Sequence, residues 1–327
     1  MMRYLVTGGG GFIGGYLVRD LVAQGHDVTV LENFTRGRPQ RLEAVAGQIR
    51  LVNADIRDAA AVTAALKGAE CVYHLAAVNG TENFYKQPEL VLDVGVRGIL
   101  NVVTACRANG VGQLIVASSA EVYQSPDRVP TDEHEMLKVP DPLEARYSYG
   151  GSKLISELIA INYGRSGFDK VQIFRPHNIY GPDMGWKHVV PQFICRMAAL
   201  VDKVPNGPLP FDIQGDGRET RAFCYVDDCV RALRLMEHSG KHLEIYHIGT
   251  PDEVSIGDIA REVARYFGRE IELKPSAAPS GATMRRCPDI SKMRALGYAP
   301  AVPLRDGIAA TARWYGANPR DTANEYL

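Results

Sequence analysis

Tyr149 and Lys153 stand four residues apart in Tyr149-Gly150-Gly151-Ser152-Lys153, at the head of a long stretch with helical apolar spacing. Positions i and i+4 share one helix face, so a phenol and an ammonium would lie side by side. A free phenol titrates near pH 10 and is a poor base at neutral pH. Lowering it by about three units takes roughly 4 kcal/mol, which two close cations in a partly dry cleft can supply. Such a group takes a proton from a hydroxyl while hydride leaves the same carbon. Ser119 ends an apolar run, Leu114 to Ser119, and is placed to hydrogen-bond the reacting oxygen. Glu121, two residues on, adds a carboxylate suited to general acid or base work. Ser118 reads as structural.

A second constellation tells what would take the hydride. Thr7-Gly8-Gly9-Gly10-Gly11-Phe12-Ile13-Gly14 lies between an apolar run and a helical pattern. Gly8 permits a tight turn, Gly11 lets the backbone approach a pyrophosphate, and Gly14 lets helix pack on strand. Free amides at the helix start hold the anion. Glu32 follows Gly14 by 18 positions, where a carboxylate can accept both ribose hydroxyls and repel a 2′-phosphate. The cofactor expected is NAD rather than NADP, and its positive ring is the second cation beside the phenol. Arg36 and Arg38 lie close by and read as a solvated loop.

These residues must be positioned by a fold. Runs at Tyr4–Thr7, Asp27–Glu32, Ile49–Asp55, Cys71–Ala77, Leu114–Ser119 and Val171–Arg175 read as strands, with helical patterns between most of them. The longest helical stretches are Glu89–Asn109 and Ser148–Arg165. Alternation of this kind means an α/β, doubly wound parallel (Rossmann) sheet. Residues 1–175 form its dinucleotide-binding domain, with 225–250 returning to it through a strand at Glu244–Gly249. The texture changes after Pro176, so 176–224 and 251–318 read as a smaller mixed α/β substrate lobe. Residues 319–327 read as a tail, loose from Asp321 on.

The 327 residues carry 37 Lys plus Arg against 38 Asp plus Glu, which gives no global pull toward nucleic acid or anionic membranes. A hydrophobic fraction of 46% argues against wholesale disorder. Six cysteines without CxxC spacing predict neither a disulfide scaffold nor a metal site. No signal-peptide pattern opens the chain, and no apolar run reaches the ~18 residues that span a bilayer. The expectation is a soluble cytoplasmic protein.

Further motifs accompany these: Asp55-Ile56, Tyr73-His74-Leu75-Ala76-Ala77, Ser119 to Tyr123, Arg175-Pro176-His177-Asn178-Ile179-Tyr180-Gly181-Pro182, Gly215-Asp216-Gly217 with Arg221, Tyr225-Val226-Asp227-Asp228 and Asp289-Ile290-Ser291-Lys292. Together, over Tyr4 to Tyr315, they resemble the NAD-dependent sugar-nucleotide epimerase/dehydratase family of extended short-chain dehydrogenases. The resemblance implies that a sugar is oxidised at C4 to a ketone on retained NAD and that the hydride is later returned. It makes Tyr149 the base, Lys153 the group that lowers its pKa and holds the nicotinamide ribose, and Ser119 the group that orients the C4 oxygen. It places Gly8, Gly11, Phe12, Ile13, Gly14, Glu32, Asn33, Asp55, Ile56, Leu75, Ala76 and Ala77 around the cofactor. Asn178, Arg221 and Arg285, with Arg286 as the alternative to Arg285, match contacts to the substrate diphosphate. Val190 and Gln192 match the segment that touches the base, and Thr81 lies in a segment over the sugar. His74, His177 and His247 read as packed structural residues, and Asp227 and Asp228 as helix caps.

Glu121 steers the choice of reaction. Simple 4-epimerases of the family usually lack a carboxylate there, whereas 4,6-dehydratases use one to remove the C5 proton. The chain departs from family habit at Ala120, Gly95, Ala222 and Gln124. The expected function is therefore sugar-nucleotide chemistry through a 4-keto intermediate, leaning to 4,6-dehydration, with 4-epimerisation as the alternative and a non-catalytic NAD-binding sensor as a third reading that the intact Ser119, Tyr149 and Lys153 set argues against. The resemblance also implies a homodimer through a four-helix bundle of the two longest helices. Leu90, Ile99, Val103, Leu154, Leu158 and Ile161 are apolar positions for core or interface.

Overall fold

The computed structural model describes residues 1–277 and 283–319; the tail expected at Asp321–Leu327 lies outside them. Six strands come first: β1 (Arg3–Thr7), β2 (Asp27–Glu32), β3 (Ile49–Asn53), β4 (Cys71–His74), β5 (Gln113–Ala117) and β6 (Lys170–Pro176). Short strands β7 (Ile179–Tyr180), β8 (Leu209–Gln214), β9 (Thr220–Ala222) and β10 (Cys224–Tyr225) follow. Then β11 (Glu244–Ile248) rejoins the main sheet beside β6. The order is β11-β6-β5-β4-β1-β2-β3, every pairing parallel. The chain reverses direction across the sheet between β1 and β4. Their carboxyl ends therefore open a crevice there, where open parallel sheets bind ligands.

The helices are α1 (Phe12–Ala23), α2 (Ala59–Ala65), α3 (Thr81–Lys86), α4 (Pro88–Leu92), α5 (Gly98–Ala108), α6 (Ser148–Gly164), α7 (Val189–Lys203), α8 (Val226–Ser239), α9 (Ile256–Tyr266), α10 (Ser291–Ala295) and α11 (Leu304–Ala317). Two apolar cores coat the faces of the main sheet. A third, around Phe193, Phe211 and Ile259, fills the lobe built by α7, α9 and α11 with β8 and β13 (Ile271–Ser276). There β12 (Glu253–Ser255) and β14 (Arg285–Arg286) flank β9. Among the described residues no helix is long and apolar enough to cross a membrane.

The stretch Glu89–Asn109 is not one regular helix. A π-turn at Asp93–Arg97 joins α4 to α5. Its cause is contact: a Cβ on Gly95 would meet the Ser152 Cβ at 2.8 Å, and the Ser156 hydroxyl donates to the Gly95 carbonyl at 3.2 Å. The bulge lets α6 lie unusually close. Of the apolar positions on these helices, Ile99 and Val103 belong to the core, whereas Leu158 is 54% exposed.

Candidate active site

Gly8 ends β1 with φ +73, and a Cβ there would stand 2.8 Å from the Ala76 backbone. Gly14 is tighter: its Cβ would lie 2.2 Å from the Gly8 carbonyl oxygen. The helix α1 thus starts wedged against the turn, with Gly11 as N-cap and no side-chain cap. Its first amides are left for an anion. Phe12 packs edge-on with Tyr16, and Ile13 joins the main core, so both offer a ligand backbone rather than side chain. Leu75, Ala76 and Ala77 leave β4 beside this turn, where Ala76 N–H donates to the Thr7 hydroxyl at 3.3 Å.

Glu32 closes the turn's other side. Its buried carboxylate accepts from the amides of Gly10 (3.1 Å), Asn33 (3.0 Å) and Phe34 (2.9 Å). Burial raises its pKa, and those amides oppose the rise. The Asn33 amide donates to Asp55 at 3.0 Å, and Arg57 holds that carboxyl down at about 2. The Ile56 side chain is core, 4% exposed. An uncapped helix start beside a buried acid fits a dinucleotide with free ribose hydroxyls. The two loop arginines are not a solvated pair. Arg38 bonds Asp183 at 2.7 Å, and the Arg36 guanidinium turns inward.

Tyr149 opens α6 and is buried. Ser119 shares a hydrogen bond with its phenol, and Phe84 of α3 stacks on the ring at 4.8 Å and 12°. Burial pushes the phenol up to about 12; Ser119 and Arg36 pull it down, and Glu121 raises it. Lys153 lies on the same helix face as the phenol, as its spacing predicts. Its ammonium donates to the Ala117 carbonyl at 2.7 Å and lies 5.8 Å from the phenol ring centre. Burial lowers the ammonium to about 8. The ammonium is anchored at the end of β5, and Arg36 is a further cation that lowers the phenol. Ser118 bonds Glu157 and is structural.

Across the cleft, β9 and β14 pair so that Arg221 lies beside Arg286. The Arg286 side chain, 12% exposed, donates to Glu121 at 2.5 Å. Arg285 alternates to the opposite face, as neighbours on a strand must, and is held by Glu253 at 2.7 Å. The arginine that meets the cleft is therefore Arg286. Burial and Arg286 together lower Arg221 to about 10, so an anion between the two would relieve both. Asn178 has φ +42 and donates from its amide to the Ala222 carbonyl at 3.2 Å. Val190 is 1% exposed within the lobe core, which leaves only its backbone for a ligand; Gln192, on α7, is exposed. The Thr81 side chain lies outside the described residues.

The sequence pattern of the NAD dependent epimerase/dehydratase family matches residues 4–249. The chain belongs to that family. Membership makes NAD its cofactor. It is 35% identical to a dTDP-4-dehydro-6-deoxy-D-allose reductase of a Streptomyces species, over 97% of both chains. It superposes on DesIV, a dTDP-glucose 4,6-dehydratase of Streptomyces venezuelae solved with NAD bound, with TM-score 0.85, 32% identity and coverage of 97% and 98%. A Thermotoga maritima UDP-glucose 4-epimerase solved with UDP-glucose gives TM-score 0.86 and 27% identity over 97% and 99%.

Within this family frame, several polar residues serve structure. His74 bonds the Thr7 hydroxyl at 2.8 Å, and His247 bonds Tyr123 at 2.6 Å. His177 is fully buried, and among the described residues neither ring nitrogen has a hydrogen-bond partner. Asp228 does not cap its own helix; it accepts from the Ala301 and Val302 amides at 3.0 Å. Phe84 comes from the segment expected over the sugar, whereas the places of Arg36 and Gln124 are ones that motif spacing misses. Gln124 takes φ +55, donates its side-chain amide to the Glu121 carbonyl at 2.6 Å, and accepts from Arg286 at 3.2 Å. Its place where family members usually carry glycine was the one available signal.

Proposed function

We propose that this NAD-dependent enzyme acts on a sugar nucleotide through a 4-keto intermediate and carries out 4,6-dehydration. The observation behind this reading is the convergence of Tyr149, Ser119 and Glu121 in one cleft faced by Arg221 and Arg286. The two arginines hold the diphosphate, since planar guanidinium donors match phosphate oxygens. Tyr149 takes the C4 hydroxyl proton while Ser119 orients that oxygen. NAD, which the glycine turn, Glu32 and Lys153 would hold, would accept the C4 hydrogen as hydride and give it back at C6. The ketone acidifies C5–H; Glu121 removes that proton and passes it to the C6 hydroxyl, which leaves as water, and C5 takes a proton from solvent when hydride reaches C6. Lys153 positions the nicotinamide ribose from its anchor on Ala117. Two copies pair through α4, α5 and α6, supported by the exposure of Leu92 (40%), Ile155 (37%), Leu158 (54%) and Tyr163 (37%).

A second reading is 4-epimerisation. It is favoured by the engagement of Glu121 with Arg286, since an epimerase needs no free carboxylate at C5. Incubation with UDP, dTDP, GDP and CDP sugars, read by mass spectrometry in deuterated water, separates the two. Loss of water with deuterium at C5 supports dehydration. Unchanged mass with an inverted C4 centre supports epimerisation and ends the first reading. Light scattering that gave a monomer would refute the pairing.

A further inference from the structure

Among the described residues no carboxylate answers Arg36. It follows Glu32 and Asn33 in the loop after β2, yet its Nη1 is fully buried and has no hydrogen-bond partner. A Cβ on Gly80 would come within 3.0 Å of that nitrogen, and Gly80 has φ +112. The guanidinium thus occupies the space that a side chain at position 80, just past β4, would fill. The groups that act on it electrostatically are Tyr149 and Arg41. Arg41 in turn donates to the Gly10 carbonyl at 3.1 Å. Arg36 therefore sits beside Gly80, within electrostatic reach of the Tyr149 phenol, of Arg41 at the glycine turn, and of His188 before α7. Its loop neighbours settle their charge otherwise: Arg38 and Arg41 both reach Asp183, at 2.7 and 3.1 Å.

A buried guanidinium without a counter-ion is costly and is retained where a ligand provides the charge. The path from the uncapped start of α1 to Tyr149 is the path a dinucleotide's diphosphate and nicotinamide ribose would take. A 2′-phosphate is not the target, because Glu32 guards the ribose end and is not among the groups acting on Arg36. We propose that Arg36 clamps the cofactor diphosphate from the side opposite the glycine turn, so that the anion lies between the α1 amides and the guanidinium. The inference rests on the family's cofactor and not on which sugar reaction follows.

The test is calorimetric titration of NAD-stripped wild type, Arg36→Ala and Arg36→Lys with NAD, ADP-ribose and adenosine, with melting curves for each protein. Arg36→Ala should bind NAD and ADP-ribose about 10- to 100-fold more weakly, by the same factor, with adenosine binding unchanged. Arg36→Lys should recover part of the loss, since it keeps the charge without the fork. Three results would overturn the clamp: a loss for NAD alone, which would place Arg36 on the nicotinamide half; an equal loss for adenosine, which would make its role structural; or unchanged binding of both NAD and ADP-ribose. Should Arg36→Ala fold poorly, Arg36→Gln replaces it in the same comparison.

Discussion

Arg286 donates to the Glu121 carboxylate at 2.5 Å, joining a strand of the second lobe to the loop that ends β5. The same guanidinium reaches the Gln124 carbonyl at 3.2 Å and keeps its Nε buried without a partner. The group proposed to act at C5 and a group proposed to hold the diphosphate thus form one electrostatic unit.

Glu121→Gln keeps the size of the side chain and removes both the ion pair and the base. Product formation should fall by roughly 10²- to 10⁴-fold. Oxidation at C4, read as transient absorbance of reduced cofactor, should survive because Tyr149 and Ser119 are untouched. Turnover at the wild-type rate would remove Glu121 from the chemistry.

Lys153 gives a pH-dependent stability with a definite sign. Its ammonium titrates at about 8 when folded against 10.5 when free, because burial disfavours the charge. Below pH 8 both states are protonated, and the fold carries the full cost of a buried charge. Between about 8 and 10.5 the unfolded chain binds more protons, so this cost is relieved as pH rises. Lys153→Met should therefore stabilise NAD-free protein at pH 7 by on the order of 2 kcal/mol, after loss of the bond to Ala117. The gain should shrink toward pH 10 while activity is abolished throughout. Melting curves of both proteins at the two pH values decide it; a variant less stable at pH 7 would contradict the argument.

The sheet was legible because periodicity reports burial. Asp27–Glu32 is a strand with the expected bounds, and Glu244–Ile248 returns to the main sheet as its apolar pattern implies. The glycine turn was legible because a helix wedged 2.2 Å from a carbonyl admits only Gly14. Side-chain direction was not. Arg285 and Arg286 are equivalent in composition, and only the register of β14 on β9 decides which enters the cleft. Lys153 shares a helix face with Tyr149, yet the Ala117 carbonyl, distant in sequence, claims its ammonium. Arg36 resembles any loop arginine until Gly80, from another crossover, leaves room for it.

Gly95 links the π-turn to the catalytic helix. Gly95→Ala would place a Cβ 2.8 Å from the Cβ and hydroxyl of Ser152, the residue before Lys153. The helix α6 must then move, and a shift near 1 Å at the reacting groups costs about 10²-fold. We expect kcat to fall by at least about tenfold while NAD affinity is held by the glycine turn. Gly95→Ala with Ser152→Gly removes the clash and should recover most of the rate. Failure of the double variant to recover would mean that Gly95 matters for the π-turn itself.

Phe84 tests whether burial sets the protonation of the base. Its ring covers Tyr149 in a near-parallel stack at 4.8 Å, and burial is the largest influence holding the phenol up at about 12. Phe84→Ala opens that face to water. The phenol should then move down toward its free value, because the lost desolvation favours the charged form. The rising alkaline limb of kcat/KM should shift to lower pH. Phe84→Leu keeps an apolar cover and should leave the limb near its wild-type position. If both variants gave wild-type pH profiles, the stack would be packing alone, and the pKa of Tyr149 would be governed by Ser119, Arg36 and the cofactor.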